Sequence, residues 1–382
     1  MVGINYFLSR SEVGFQKRHD SGTTDGGIYM GLPKLGGGLR LSGAAAELAL
    51  LLVTIVLTGC ATRWNEVPYA PGSFPTATAL LTPTDPFAYE RAPALVTNHT
   101  EGTVDSYVVR LLRFPSVGKN GQADDMVTVR YYEDPTGGPK PLVVVLPIWG
   151  SFTYPSAIVT GDLLGRGRVN VMRVLGAEKV IDWTALAEAP DPAAFRVEVQ
   201  HMVERVRTSV IDLRRLLDWA ETRPLIDATR IAMVGFSQST LQVEAVMASD
   251  VRLAAAVLVM GVAHPHRIVA TCSGWPAIVR NAVLPRFGWT SEELADNLAP
   301  LMRSIDVAHL GSRLDSERLL IFDAEYDHCV PRDAREALWN ATGRPARVSI
   351  LSNHVGSFLA MTFLGGNHIR HRIVDFFDRA LQ

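Results

Sequence analysis

The sequence predicts an α/β fold: a mainly parallel central sheet flanked by helices, with one helical insertion. Three observations carry this. Runs rich in Val, Ile, Leu and Ala recur at 142–146, 230–234, 255–260, 319–322 and 348–351 without polar alternation, as in strands buried on both faces. Stretches with helical spacing fall between them, and strands that alternate with helices pair in parallel with both faces covered. The chain has 382 residues, 47% of them hydrophobic, enough for a large core.

The N-terminus reads as an address. Residues 48–59 (LALLLVTIVLTG) form a run of twelve, short of the roughly 20 residues that a spanning helix needs. Lys34 and Arg40 precede it and small residues end it, the layout of a secretory signal. Only Glu47 suits a buried helix better. The run closes on Leu57-Thr58-Gly59-Cys60, which resembles a bacterial lipoprotein signal. That resemblance implies cleavage before Cys60, a lipidated thiol, and an exported protein anchored to a membrane facing the periplasm or exterior. Met30 gives such a signal a more ordinary start than Met1. Residues 1–59 then have no part in the mature fold. Residues 60–103 hold Pro68, Pro71, Pro75, Pro83, Pro86 and Pro93 with no strand or helix period, so they read as a Pro-rich tether or a strap lying over the domain.

The main domain is expected over 104–382. Residues 108–114 and 126–132 read as strands joined in a hairpin by the polar stretch 118–125. Strands follow at 142–146 and 169–174. Asp191-Pro192 opens a long helix whose apolar residues run from Phe195 through Val199, Met202, Val206, Val210, Leu213 and Leu217. A strand at 230–234 and a helix at 240–248 lead to the remaining strands. The chain ends in an amphipathic helix carrying Ile373, Val374, Phe377 and Leu381. Residues 262–317 contain no buried strand and read as a helical cap, placed where insertions cover the carboxyl ends of parallel strands.

Composition excludes some functions. The net charge is −2 with no basic stripe, so nucleic acid is not an expected partner. The cysteines are Cys60, Cys272 and Cys329, too few for a disulfide scaffold. Pairing of Cys272 with Cys329 is an open option in an oxidising compartment. His264-Pro265-His266 and His368-x-x-His371 each offer two imidazoles without a third ligand at suitable spacing, so no metal or cofactor is expected. Trp275, Phe287 and Trp289 suit either an apolar pocket or simple core.

The chemistry centres on Gly235-Phe236-Ser237-Gln238-Ser239, which directly follows a strand and precedes a helix. A sharp turn there exposes the serine as a nucleophile and needs small residues two positions either side. Gly235 satisfies this; Ser239 stands where glycine is more usual. Asp327, in the loop after the strand at 319–322, is the expected acid, with Asp323 and Glu325 as rivals. His354, after the strand at 348–351, is the expected base, with His368 as the rival. The order Ser, Asp, His is that of a nucleophile-elbow hydrolase. The loop 147–151 after the strand at 142–146 suits an oxyanion donor, with Trp149 chosen ahead of Ile148 and the Gln238 amide as its partner.

Together these motifs resemble the α/β-hydrolase family over about 104–382. The resemblance implies that Ser237 attacks an ester-like carbonyl (carboxylester, thioester or amide) of a small-molecule or acyl substrate. His354 would move the proton, Asp327 orient the imidazole, and the Trp149 and Gln238 amides hold the oxyanion, without a cofactor. An inactive binding lipoprotein on this fold and an acyltransferase using the same residues are the alternatives.

Overall fold

The computed structural model describes residues 63–70, 85–91, 96–118, 126–148, 154–176, 180–362 and 367–382. Residues 1–59, Cys60 and Trp149 lie outside them. The described strands are β1 (Trp64–Val67), β2 (Thr97–Val104), β3 (Tyr107–Pro115), β4 (Met126–Glu133), β5 (Lys140–Val145), β6 (Asn170–Val174), β7 (Ile226–Phe236), β8 (Leu253–Val259), β9 (Leu319–Ala324) and β10 (Ala346–Ile350). They form one sheet in the order β1-β10-β9-β8-β7-β5-β6-β4-β3-β2. From β10 to β6 every neighbouring pair is parallel. The β2, β3, β4 meander and the β1 edge pair antiparallel.

The helices are α1 (Tyr154–Arg166), α2 (Trp183–Glu188), α3 (Pro192–Glu221), α4 (Thr240–Ser249), α5 (Pro265–Thr271), α6 (Pro276–Phe287), α7 (Ser291–Met302), α8 (Val307–Leu310), α9 (Arg332–Ala341), α10 (His354–Thr362) and α11 (Asn367–Ala380). None of them is long and apolar enough to cross a membrane. The pleat divides each central strand between two cores. Leu142 and Val144 of β5 pack with α3, α4, α6 and α7 on one face. Val143 and Val145 pack with α1, α10 and α11 on the other. This two-sided burial explains the unbroken apolar runs.

Helix α3 starts where its cap chemistry dictates. The Asp191 carboxylate accepts from the Ala193 and Ala194 amides at 2.9 Å each, and Pro192 occupies a first-turn position that has no amide to lose. Phe195, Val199, Met202, Val206, Val210 and Leu217 line its buried stripe. The segment 262–317 lies between β8 and β9 and folds as α5 to α8 with two short 3₁₀ turns. Phe287 and Trp289 stack edge-on against Phe195 of α3, so they are packing residues rather than pocket walls.

The stretch 60–103 is more than a tether where it is described. Residues 64–67 add β1 to one edge of the sheet and 97–104 add β2 to the opposite edge. Between them, Phe87 is buried, Arg214 of α3 donates to Asp85 and to the Phe87 carbonyl at 2.7 Å each, and the Tyr89 hydroxyl donates to Asp218 at 2.8 Å. The domain therefore includes residues on both sides of its expected start at 104.

Candidate active site

Strand β7 runs into a 3₁₀ turn, Ser237–Ser239, and then into α4. Ser237 has φ +51°, the left-handed region that a residue with a side chain enters at a cost of about 1–3 kcal/mol. The neighbours hold it there. A Cβ on Gly235 would stand 2.8 Å from the Ser239 carbonyl oxygen and 2.9 Å from Val243 Cγ2, so only glycine fits. Ser239 also has a specific task. Its hydroxyl oxygen accepts from the Phe236 amide at 2.8 Å and donates to the Phe236 carbonyl at 3.1 Å. The departure from glycine at 239 thus adds a clasp across the elbow. The Thr240 hydroxyl donates to the Ser237 carbonyl at 2.7 Å.

Ser237 Oγ lies 3.0 Å from His354 Nε2, and His354 Nδ1 lies 2.7 Å from Asp327 Oδ2. With Nδ1–H donated to the carboxylate, Nε2 is left to accept the serine proton. The other Asp327 oxygen accepts from the Cys329 amide at 2.7 Å and the Val330 amide at 2.9 Å. The Asp327 side chain is 1% exposed, and these two amides supply the hydrogen bonds that a buried carboxylate requires. His354 is the first residue of α10, not part of a free loop. Asn353 caps that helix by accepting from the Gly356 amide at 2.8 Å, which accounts for the Asn-His pair. The acid loop is tied to the histidine loop through its backbone, with the Tyr326 amide donating to the Ser352 carbonyl at 3.0 Å.

The rival residues have other partners. Asp323 pairs with Arg347, Nε to Oδ2 at 2.7 Å, inside the sheet. Glu325 and His371 are exposed, and the His368 side chain lies outside the described residues. Gln238 follows Ser237 in the 3₁₀ turn.

The structure pairs Cys272 with Cys329, S–S 2.04 Å. Cys272 ends α5 at the base of the cap, and Cys329 is two residues past Asp327, so the bridge fastens the acid loop to the cap. Sequence alone did not reveal it because 57 residues separate the two cysteines. Val330 packs beside it with Leu241 and Val262. Tyr326 and Val355, neighbours of Asp327 and His354, are exposed, as is Trp275 near Cys272. Behind the elbow, Glu244 of α4 is fully buried. Burial, with Asp306 nearby, pushes its carboxyl up to about 8, which keeps it neutral at pH 7.

No protein-family model matches the sequence, and no curated protein is significantly similar to it. Solved structures do match. An acetyl xylan esterase from Paenibacillus sp. R4 superposes with a TM-score of 0.50 at 17% identity, over 74% of this chain and 88% of its own. Acetyl xylan esterase 1 from Thermoanaerobacterium sp. JW/SL YS485 gives 0.51 at 15% identity, over 72% and 89%. An acylaminoacyl peptidase from Pyrococcus horikoshii gives 0.50 at 13% identity, over 72% of this chain and 42% of its own. What this chain shares with them is the α/β-hydrolase fold.

Proposed function

We propose that the chain is an exported, lipid-anchored serine hydrolase that cleaves an ester-like bond (carboxylester, thioester or amide) through an acyl-enzyme on Ser237. The observation that carries this reading is the continuous contact from Ser237 through His354 to Asp327, with the serine held at positive φ. Ser237 Oγ attacks the substrate carbonyl while His354 Nε2 takes the hydroxyl proton. Asp327 holds the imidazole in the required tautomer and faces the imidazolium that forms. The Gln238 amide and that of Trp149 face the oxyanion. The imidazolium returns its proton to the leaving group. Water, activated by the same nitrogen, then releases the acyl group and restores Ser237. The exposed Trp275, Tyr326 and Val355 favour a substrate with an apolar portion.

The disulfide supports export, since such bonds persist in oxidising compartments. Strand β1 begins four residues after Cys60, so a lipid on that thiol would hold the β1 edge within about 14 Å of the membrane. The test is labelling with a fluorescent fluorophosphonate. Labelling abolished by Ser237→Ala supports the hydrolase, whereas a folded wild-type protein that stays unlabelled favours a binding protein on this fold. Metabolic incorporation of radioactive palmitate, lost in Cys60→Ala, tests the anchor.

A further inference from the structure

We propose that His264, His266 and Asp306 form a binding site for a divalent transition-metal ion, zinc by preference, that staples the two ends of the cap together. One donor atom from each residue lies within 4.8 Å of the other two. The residues come from two separate segments. His264 and His266 flank Pro265 where the chain leaves β8 and enters α5; Asp306 lies 40 residues beyond His266, just before α8, as the chain approaches β9. Sequence spacing hides the third ligand for that reason.

The geometry is built rather than incidental. Asp306 is buried, and its Oδ1 is oriented by two backbone amides, His264 at 2.9 Å and Ala308 at 3.0 Å. That leaves Oδ2 facing His264 Nδ1 at 3.0 Å. His264 adopts φ +58°, a conformation uncommon for a residue with a side chain and one that swings its ring toward Asp306. His266 Nδ1 is buried and makes no hydrogen bond, and its ring centroid lies 5.5 Å from that of His264. A simple His264–Asp306 ion pair accounts for the first imidazole and leaves the second without a task. Two imidazoles and a carboxylate are a zinc donor set, with a fourth position for water. An ion about 2.1 Å from each donor needs donor separations near 3.4 Å, so from separations within 4.8 Å the donors must close by at most about 1.4 Å. Both imidazoles are half-exposed.

The test uses the full chain without a histidine tag, stripped with a chelator. Zn²⁺ is titrated against a chromophoric competitor, and Co²⁺ is followed by its visible d–d absorption. Wild type should bind one equivalent with the intense bands of a low-symmetry four-coordinate ion, and its thermal midpoint should rise by about 5 °C at a hundredfold excess over Kd. His266→Gln, which removes no described hydrogen bond, should weaken binding by about 10-fold or more and cut the midpoint rise at the same Zn²⁺ concentration by about half or more. Asp306→Asn should do the same if His266→Gln fails to fold. No binding by wild type, or equal binding by the folded variants, would overturn the proposal.

Discussion

Ser239→Ala tests whether the serine at this position clasps the elbow or merely is small enough to fit. The substitution keeps the size class but removes the hydroxyl that accepts from the Phe236 amide at 2.8 Å and donates to the Phe236 carbonyl at 3.1 Å. Both residues are buried, so water does not replace these bonds. Each contributes about 0.5–1.5 kcal/mol, giving a loss of about 1–3 kcal/mol. At about 2–4 °C per kcal/mol for a domain approaching this size, the melting midpoint should fall by about 2–12 °C. Ser239 sits at φ −74°, ψ −7°, where glycine has no conformational advantage. Ser239→Gly should therefore lose a further 0.5–1 kcal/mol or so through backbone freedom. Differential scanning calorimetry should rank wild type above Ser239→Ala above Ser239→Gly. Neither change touches the Ser237–His354 contact, so fluorophosphonate labelling should fall by less than about 100-fold, the effect of a 1 Å displacement. A Ser239→Ala midpoint within 1 °C or so of wild type, or a Ser239→Gly protein more stable than the alanine variant, would refute the clasp.

Four further outcomes are expected. Gly235→Ala places a methyl 2.8 Å from the Ser239 carbonyl oxygen; labelling should drop at least about 100-fold with about 1–3 kcal/mol of stability, measured by labelling rate and melting. Asp327→Asn keeps an oxygen for the Cys329 and Val330 amides but stops holding the His354 Nδ1 proton; turnover of a nitrophenyl ester should fall by about 10²–10⁴-fold with the fold intact by circular dichroism. Replacing both Cys272 and Cys329 by serine frees a 57-residue separation and should remove about 2–4 kcal/mol, seen as a lower denaturant midpoint that reductant no longer shifts. Desolvation works to raise the Asp250 carboxyl, but hydrogen bonds and charge from Arg252 and then Arg214 hold it below its ordinary value. The folded state therefore binds this proton less readily than the unfolded chain, and its stabilisation is present above about pH 4 and lost as pH falls below it. Asp250→Asn should be about 1.5–3 kcal/mol less stable at pH 7, and a urea titration across pH should show that gap closing in acid.

What was legible in the sequence divides along one physical line. Strands buried on both faces announce themselves by composition, and β5, β7, β8 and β9 carry apolar runs. Strand β2 does not, because Thr97–Val104 is exposed along nearly its whole length and is held by backbone pairing to β3. The same is true of β1, whose Trp64–Val67 has no buried residue; both edges lay inside a Pro-rich stretch that argued against strands. In the cap, which was expected to be helical, α6 and α7 carry Pro285 and Pro300 inside their helices. Ser237, Asp327 and His354 were readable for a reason that does not apply to the other pairings. Each follows a parallel strand, and uniform right-handed crossovers bring the carboxyl ends of such strands to one side of the sheet. The topology does the assembling, so local motifs suffice to name the members. Cys272 with Cys329, and His264 and His266 with Asp306, are brought together by the particular path of the cap. No period or turn signal encodes that path. A residue's partners are therefore predictable where the fold's handedness sets them, and have to be found in the structure where side-chain packing within an insertion sets them.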